Sequence, residues 1–345
     1  MNDTIRNFCE MSVTAGSRAD YVQGGGGNTS AKLDSNRMAI KASGFRLDEI
    51  KTDNAYVVVD YKNIREYYDN ADITRDHDFE KESVDFCKTN IIPQQGLPQL
   101  RPSVEAGFHS ILDKYVLHTH SVWANIISCS KNAKELMEKI FDGFETGCIF
   151  IPYINPGFCL TLKIKTAREE YEAKNGTKPC CIFMENHGFI ATSEDYREAI
   201  RLHDKADKAI QKYFKLTEPY PVIELEKIDE STYMSKTTLV KEFFKDGKDP
   251  EAVIKDFILY PDQIVYLNGS LGSKLTATAD GIIYSGCTAN EAKSLEETLT
   301  AYMFVLKNIH TLNLELKTMS DTEVDYILNW ESEAYRKKLL EQAKL

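Results

Sequence analysis

Val116-Leu117-His118-Thr119-His120 joins a strand-like apolar start to two histidines separated by one residue. Alternate residues of a β-strand project from the same face, about 6.5 Å apart, so both imidazoles can reach one ion. A third imidazole is available at His187, in Glu185-Asn186-His187-Gly188. Any one of these histidines alone also fits a structural role in a strand or turn. Three imidazoles with a fourth position open are typical of a catalytic zinc site, so the three together predict a centre for Zn²⁺ or another divalent metal.

The composition is that of an ordinary globular protein. The chain has 345 residues, 42% of them hydrophobic and 28% charged, and this length favours two domains. A formal net charge of −11 offers no general attraction to nucleic acid or to anionic membranes. Neither a secretory leader nor an apolar run near the ~20 residues of a membrane span is evident, and the eight cysteines form no Cys-x-x-Cys pair. We therefore expect a cytoplasmic protein whose thiols are reduced.

Periodicity predicts an α/β organisation for the first part of the chain. A glycine-rich loop at residues 24–30 follows a mixed helical pattern, and the strand-like segments 37–42 and 55–60 suggest an antiparallel or mixed sheet. Residues 70–100 are predicted to be irregular. Beyond them the pattern predicts helices at 103–114, 121–128 and 194–216, the last capped by Thr192 or Ser193, and strands at 115–120, 180–184 and 189–191.

Two prolines in Thr217-Glu218-Pro219-Tyr220-Pro221 mark a boundary, because they stop a helix and stiffen the chain that leaves it. Residues 1–217 are therefore predicted to form one domain, and residues 218–345 a smaller C-terminal α+β extension. In the extension the pattern predicts strands at 257–266 and 281–284 and helices at 290–307 and 321–342.

Glu105 lies thirteen residues before His118, near the start of a predicted helix. A carboxylate beside an open metal position is suited to moving a proton while the cation holds negative charge. Complementing the positive end of its own helix would explain the same residue equally well. His109, one helical turn later, is either a supporting partner of this group or a core histidine.

Several donors suited to an anion surround the glycine-rich loop. Gly27 and Asn28 in the loop, Ser43 and Gly44 in a following turn, and Ser103 at a helix start offer backbone N–H groups, an amide and hydroxyls. Lys41 adds a positive charge. The four consecutive glycines do not match the Gly-x-Gly-x-x-Gly dinucleotide pattern, and there is no Gly-Lys-Ser/Thr phosphate loop.

Five ordered motifs between about residues 5 and 216 carry a resemblance to a known family. They are Gly26-Gly27-Asn28-Thr29-Ser30, Lys41-Ala42-Ser43-Gly44, Arg101-Pro102-Ser103-Val104-Glu105, His118-Thr119-His120 and Asn186-His187-Gly188. Their order resembles that of the class II aldolase/adducin family. The Gly-Gly-Gly-Asn-Thr-Ser and Lys-x-Ser-Gly forms are most similar to its rhamnulose-1-phosphate aldolase-like members.

The resemblance implies a three-layer α/β/α sandwich with a mostly antiparallel central sheet, assembled as a homotetramer. It implies Zn²⁺ on His118, His120 and His187 and an acid/base role for Glu105. The residues implied to face the substrate phosphate are Gly27, Asn28, Ser43, Gly44 and Ser103. One departure concerns Val104, which stands where many relatives with a strong phosphate site have a second serine, so a carboxylate or a nucleotide-linked group stays open as the bound anion.

The implied activity is that of a zinc-dependent aldolase, a carbon–carbon lyase. It would cleave or form a bond in a phosphorylated ketose or related sugar acid through a metal-stabilised enediolate. A 4-epimerase, a dehydratase, a decarboxylase and a non-catalytic adducin-like binding module are the alternatives. The presence of all three histidines together with Glu105 favours an enzyme over a binding module.

Overall fold

Seven strands form one sheet at the centre of the first part of the chain. The structure is a computed structural model that describes residues 3–244, 250–278 and 281–329. In chain order the strands are β1 (Asn28–Lys32), β2 (Arg37–Lys41), β3 (Tyr56–Asp60), β4 (Tyr115–Thr119), β5 (Gly147–Ile151), β6 (Pro179–Met184) and β7 (Gly188–Ser193). Their order across the sheet is β3-β2-β1-β4-β7-β6-β5.

Neighbouring strands of this sheet run antiparallel except for β5 and β6, which are parallel. The histidine strand β4 lies in the middle, between β1 and β7. His118 pairs in register with Asn28 on one side and with Ile190 on the other. The start of β1, the end of β4 and the turn that leads into β7 therefore meet at one end of the sheet.

Helices cover both faces of the sheet. Those of the first part are α1 (Asp3–Gly16), α2 (Tyr61–Asp69), α3 (Phe79–Thr89), α4 (Ala106–Ile111), α5 (Val122–Ser128), α6 (Ala133–Ile140), α7 (Phe158–Asn175) and α8 (Tyr196–Phe214). The alternation along β4 shows why both faces need cover: Leu117 joins a core with α1 and α8, whereas Val116 joins a core with α4 and α7. The predicted three-layer sandwich with a mostly antiparallel sheet is confirmed.

Three local predictions for this part are wrong. Residues 28–30, predicted as the end of the glycine-rich loop, belong to strand β1. Residues 70–100 are not irregular throughout, because α3 begins after Asp78, whose carboxylate accepts a hydrogen bond from the Lys81 N–H at 3.0 Å. Helix α8 is capped by Asp195, which accepts from the Arg197 N–H at 2.8 Å, and not by Thr192 or Ser193, which belong to β7. Both helices begin directly after an aspartate whose side chain caps them, Asp78 for α3 and Asp195 for α8.

The C-terminal region, residues 218–345, contains a second sheet in its described part. Its strands are β8 (Leu225–Lys227), β9 (Tyr233–Ser235), β10 (Leu275–Thr278) and β11 (Gly281–Tyr284), in the order β10-β11-β9-β8, and its helices are α9 (Thr238–Phe244), α10 (Pro250–Asp256), α11 (Ala289–Thr311) and α12 (Asp321–Asn329). An extra region with α and β elements is therefore confirmed. The part of the predicted 321–342 helix after residue 329 lies outside the described residues.

The strand predicted at residues 257–266 is wrong. Residues Gln263–Asn268 form a π-helical turn instead. Its apolar run is buried on all sides, and the Gln263 amide accepts from the Leu259 N–H at 2.8 Å and donates to the Ile254 carbonyl at 2.8 Å. Because a fully buried run has no alternating pattern, hydrophobicity could not separate a strand from a helical turn here.

One hydrophobic core links the C-terminal region to α5. Val122, Trp123 and Ile126 on α5 pack into the same cluster as α11, and the rings of Trp123 and Phe304 stand edge to face at 5.0 Å. No helix within the described ranges is long and apolar enough to cross a membrane. The domain boundary after residue 217 stays a prediction.

Asn186 ties the β6–β7 turn to the C-terminal region. Its φ of 49° lies in the left-handed region, and its side-chain amide donates to the carbonyls of Leu259 and Lys317 at 2.8 Å each. Replacing Asn186 by Ala removes both hydrogen bonds and keeps the unfavourable backbone angle. We expect the free energy of unfolding to fall by about 2–4 kcal/mol. Denaturant titration of the metal-free protein checks this value.

The matched control for this prediction is Asn186→Gly, which loses the same hydrogen bonds but tolerates the left-handed angle. We expect the Gly variant to be about 1 kcal/mol more stable than the Ala variant. If Asn186→Ala were as stable as the native chain, the two side-chain hydrogen bonds of Asn186 would not stabilise the protein.

Candidate metal centre and active site

Three buried histidines converge at the end of the sheet where β4 and the β6–β7 turn meet. His118 belongs to β4, His120 follows it, and His187 lies in the turn before β7. One ring nitrogen from each lies within 4.8 Å of the others. The ring centroids are separated by 5.0 to 5.4 Å. The structure thus brings together the three predicted ligands, in a geometry that one ion can share.

Hydrogen bonds at Nδ1 orient two of these imidazoles, those of His118 and His120. His118 Nδ1 lies 3.2 Å from the Phe189 carbonyl and His120 Nδ1 lies 2.6 Å from Asp262 Oδ2, so both Nδ1 atoms act as donors to these oxygens. In its neutral form, an imidazole with this Nδ1 proton presents an unprotonated Nε2. His118 Nε2 is buried without a hydrogen-bond partner among the described residues.

The donor set fits a divalent cation. Burial lowers the pKa of the His118 imidazole well below its usual value, so the ring is neutral near pH 7. Neutral imidazole is the form that binds zinc and related ions. A buried lone pair without a donor is costly unless a ligand satisfies it, and a cation among the three rings would do so.

Glu105, the residue immediately before α4, lies next to this cluster. Its Oε2 lies 3.5 Å from His118 Nε2, and its Oε1 lies 3.3 Å from His187 Nε2. Burial favours the protonated carboxyl group, but hydrogen bonds from His187 and from the Asn28 amide oppose it, and the pKa of Glu105 lies well below its usual value. The group is therefore a carboxylate placed beside the three-histidine cluster.

Asn28 positions the Glu105 carboxylate. Its amide nitrogen donates to Glu105 Oε2 at 2.5 Å and to Ser103 Oγ at 3.1 Å. On the other side, the Asn28 amide oxygen is bonded to His109 Nε2, while His109 Nδ1 is bonded to Ser30 Oγ at 2.7 Å. His109 is thus a buried histidine that supports Glu105 indirectly, through Asn28.

The glycine-rich loop gives most of its donors to the protein. Gly24 N donates to Glu297 Oε2 at 2.9 Å, Gly25 N to the Tyr266 hydroxyl at 3.0 Å, and Gly26 N to the Gln23 carbonyl at 2.9 Å. Lys41 Nζ donates to the Gly25 carbonyl at 2.9 Å. Lys41 therefore contacts the loop itself.

Gly27 is also held by close packing. Its φ is 63°, and a Cβ at this position would lie 2.7 Å from the His118 carbonyl oxygen. Only glycine meets both demands. The structure places Gly27 against the backbone of β4, next to His118.

Ser43, Gly44 and Ser103 are brought together by backbone pairing. The Ser43 N–H donates to the Arg101 carbonyl at 2.9 Å, and the Ser103 N–H donates to the Lys41 carbonyl at 3.1 Å. Gly44 has a φ of 87° in the adjoining turn. Ser43 and Ser103 line a cavity of about 240 Å³ with Val104 and Tyr326. Its walls carry charges of both signs, from Lys81, Lys88 and Arg101 and from Asp78, Glu80 and Asp85. Because Ser103 also contacts Asn28, this cavity adjoins Glu105.

Three residues of the C-terminal region that contact the site were not found from the sequence. Asp262 contacts His120, Tyr266 contacts Gly25, and Glu297 contacts Gly24. Asp262 follows His120 by 142 residues and belongs to no motif. Only tertiary structure brings these side chains to the loop.

A family model matches the first part of the chain. Residues 7–214 match the family model described as Class II Aldolase and Adducin N-terminal domain. The N-terminal class II aldolase domain of a conserved protein from Thermoplasma acidophilum is 23% identical, with a TM-score of 0.49 over 62% of this chain and 94% of that one. No curated protein sequence matches the chain.

Two further solved structures are more distant. An L-fuculose 1-phosphate aldolase is 18% identical, with a TM-score of 0.41 over 64% of this chain and 90% of that chain. A sugar-phosphate aldolase from Thermotoga maritima is 15% identical, with a TM-score of 0.42 over 63% of this chain and 97% of that chain.

Proposed function

The chain belongs to the class II aldolase and adducin family, and from this premise we propose that it is a metal-dependent aldolase acting on a phosphorylated ketose or related sugar acid. The observation that carries the proposal is the position of Glu105. A buried carboxylate lies within 3.5 Å of two imidazoles of a three-histidine cluster. That arrangement combines a cation site with a group that can move a proton.

His118, His120 and His187 would hold the divalent cation, with zinc the first candidate for three imidazole ligands. When bound, such an ion supplies Lewis acidity worth several kcal/mol where negative charge develops on a substrate oxygen. The remaining steps depend on the protein's own groups.

Glu105 is the proposed acid/base. As a carboxylate it accepts the proton that must leave the substrate for a carbon–carbon bond to break, and it returns a proton to the released fragment. The Asn28 amide, at 2.5 Å, keeps the carboxylate from turning away. His109 and Ser30 hold the Asn28 amide in turn. We infer that this chain of hydrogen bonds fixes the orientation of the Glu105 carboxylate for proton transfer.

The substrate's anionic group is proposed to bind next to Glu105. Gly27, Asn28, Lys41, Ser43, Gly44 and Ser103 are the candidates for this subsite. Ser43 and Ser103 face a cavity lined by three cations, Lys81, Lys88 and Arg101, and by three carboxylates, Asp78, Glu80 and Asp85. Its hydroxyl groups and cations can donate to a phosphate or a carboxylate, although Lys88 is already paired with Asp85 at 2.9 Å. Val104 lies in the same wall in place of a further hydroxyl donor.

The same groups also serve related reactions. Epimerisation at C4, dehydration and decarboxylation each need a cation and one proton carrier, and they differ in the residue that meets the departing fragment. A non-catalytic binding module is less consistent with the structure. Burial of Glu105 and three histidines around a buried lone pair costs stability unless a ligand uses them.

Metal analysis combined with a substrate panel tests the proposal. We expect one divalent ion per purified chain and retro-aldol cleavage of at least one phosphorylated ketose or sugar acid. Protein stripped with a chelator and then reloaded is the control, and its activity should disappear and return. Epimer or carbon dioxide formation without cleavage would assign a related reaction instead. A chain that binds no divalent ion and converts no substrate would support the binding module.

Assembly belongs to the same proposal. We infer a homotetramer in which residues 1–217 carry the catalytic groups and residues 218–345 form an extension. The mass of the native protein in solution checks the number of subunits.

A further inference from the structure

A carboxylate from the C-terminal region contacts one of the three imidazoles directly. Asp262 Oδ2 lies 2.6 Å from His120 Nδ1, and both side chains are buried. Asp262 stands at the start of the π-helical turn, far from the histidine motif in sequence. This contact joins the extension to the proposed metal centre.

The glycine-rich loop leaves room for this contact. A Cβ at Gly26 would overlap Asp262 Oδ2 and would lie 2.8 Å from His120 Nδ1. Gly26 therefore serves close packing over the carboxylate–imidazole pair. The loop and the extension enclose the pair and keep it out of water.

An imidazole that donates its Nδ1 proton to a carboxylate has its Nε2 lone pair free and more basic. Such carboxylate partners commonly orient metal-binding histidines and strengthen the metal bond. The Phe189 carbonyl oxygen orients His118 in the same sense, but it carries no full charge. Asp262 is thus the group that adds a negative charge behind a ligand of this cluster.

We propose that Asp262 is a positioning residue of the metal centre, which fixes the tautomer of His120 and raises the affinity of the three histidines for a divalent cation. The inference rests on the proposed function, because it concerns the ion expected there. It assigns to the C-terminal region a part in metal binding. Asp262 acts through His120 and needs no contact with the substrate.

The substitution Asp262→Asn tests this role at constant side-chain size. The amide has no negative charge, and its NH₂ group can donate to Nδ1 and so favour the tautomer that blocks Nε2. We expect the Kd for Zn²⁺, measured by competition with a chelator, to rise by about 10–100-fold. Nitrogen NMR of the metal-free protein should show the His120 proton on Nδ1 in the native chain and lose that preference in the variant.

Tyr266→Phe is the matched control. It removes the hydroxyl that receives the Gly25 N–H, which is another contact between the extension and the same loop. We expect its Kd for Zn²⁺ to stay within about threefold of the native value, because no ligand loses its partner. A merely structural role of Asp262 would lower the stability of the metal-free protein and leave the two Kd values alike.

The outcomes separate the inference from the proposed function. Native affinity for Zn²⁺ in Asp262→Asn, or an equal loss in Tyr266→Phe, overturns the role of Asp262 and leaves the aldolase proposal standing. A native chain that binds no divalent ion overturns both. Should the Asn variant fail to fold, the position of the His120 proton in the native chain decides alone, since a proton on Nε2 would contradict the inference.

Discussion

Substitution of Glu105 by Gln is expected to lower kcat by a factor of about 10² to 10⁴ while the protein keeps its divalent ion. The amide is nearly the same size and can stay beside Asn28 and the imidazoles, but it can neither accept nor return a proton at neutral pH. Steady-state kinetics and metal analysis of the same preparation check the two halves of this prediction. KM should change much less than kcat, because the loss falls on the transition state.

Glu185→Gln is the matched control for the Glu105 variant. Glu185 lies in the turn that carries His187, but its Oε2 accepts from the Tyr153 N–H at 3.0 Å. Neutralising it therefore removes a nearby charge without touching the proposed proton carrier. We expect kcat within about threefold of the native value. An active Glu105→Gln enzyme would move the acid/base role to another group.

Loss of His118 is expected to have the second large effect. His118→Ala removes the ligand in the middle of the sheet and leaves two imidazoles, which bind zinc far more weakly than three. The purified variant should contain less than about a tenth of an ion per chain. The rate should fall by at least about 10³, because the Lewis acid contributes several kcal/mol and each 1.4 kcal/mol is tenfold.

His203→Gln is the control for this variant. His203 is fully buried on α8, and its Nε2 is bonded to Thr119 Oγ1 at 2.6 Å, between the two histidines of the motif. It does not belong to the three-histidine cluster. The control should keep its ion in the folded fraction, whatever stability it loses. An ion retained in His118→Ala would place the metal elsewhere.

The sequence predicted the elements that have a distinctive local pattern. Strand β4 is predicted by a short apolar run that leads into two histidines one residue apart, and α8 by apolar residues that recur at helical spacing on one face. The histidine cluster is predicted by the spacing of His118 and His120 together with a third histidine at His187, and the resemblance implies the same three ligands. The local pattern of residues was sufficient to predict these elements.

Pattern was insufficient where the environment is uniform or distant. The residues around Gln263 are buried on all sides, so their sequence does not distinguish a helical turn from a strand. Helix α3 is largely polar on its outer side, so its sequence does not distinguish it from irregular chain. The contact between Asp262 and His120 depends on a second core that joins regions far apart along the chain. No local rule connects those positions.

The role of the glycine-rich loop could be predicted only in part. Glycine suggested an open loop whose N–H groups surround an anion. In the structure the missing side chains instead allow close approach of Tyr266 to Gly25 and of Asp262 to Gly26. An unhindered backbone serves both purposes, and a sequence does not distinguish a ligand from a neighbouring side chain.

The apolar side of α5 has a practical consequence for handling the protein. Val122, Trp123, Ile126 and Cys129 are buried against the C-terminal region. Truncation of the protein to residues 1–217 would expose this apolar surface to solvent. A contiguous exposed apolar surface promotes self-association. Precipitation of a shortened protein would therefore be explained by exposure of α5. Polar substitutions at these apolar positions are needed before the activity of such a protein is interpreted.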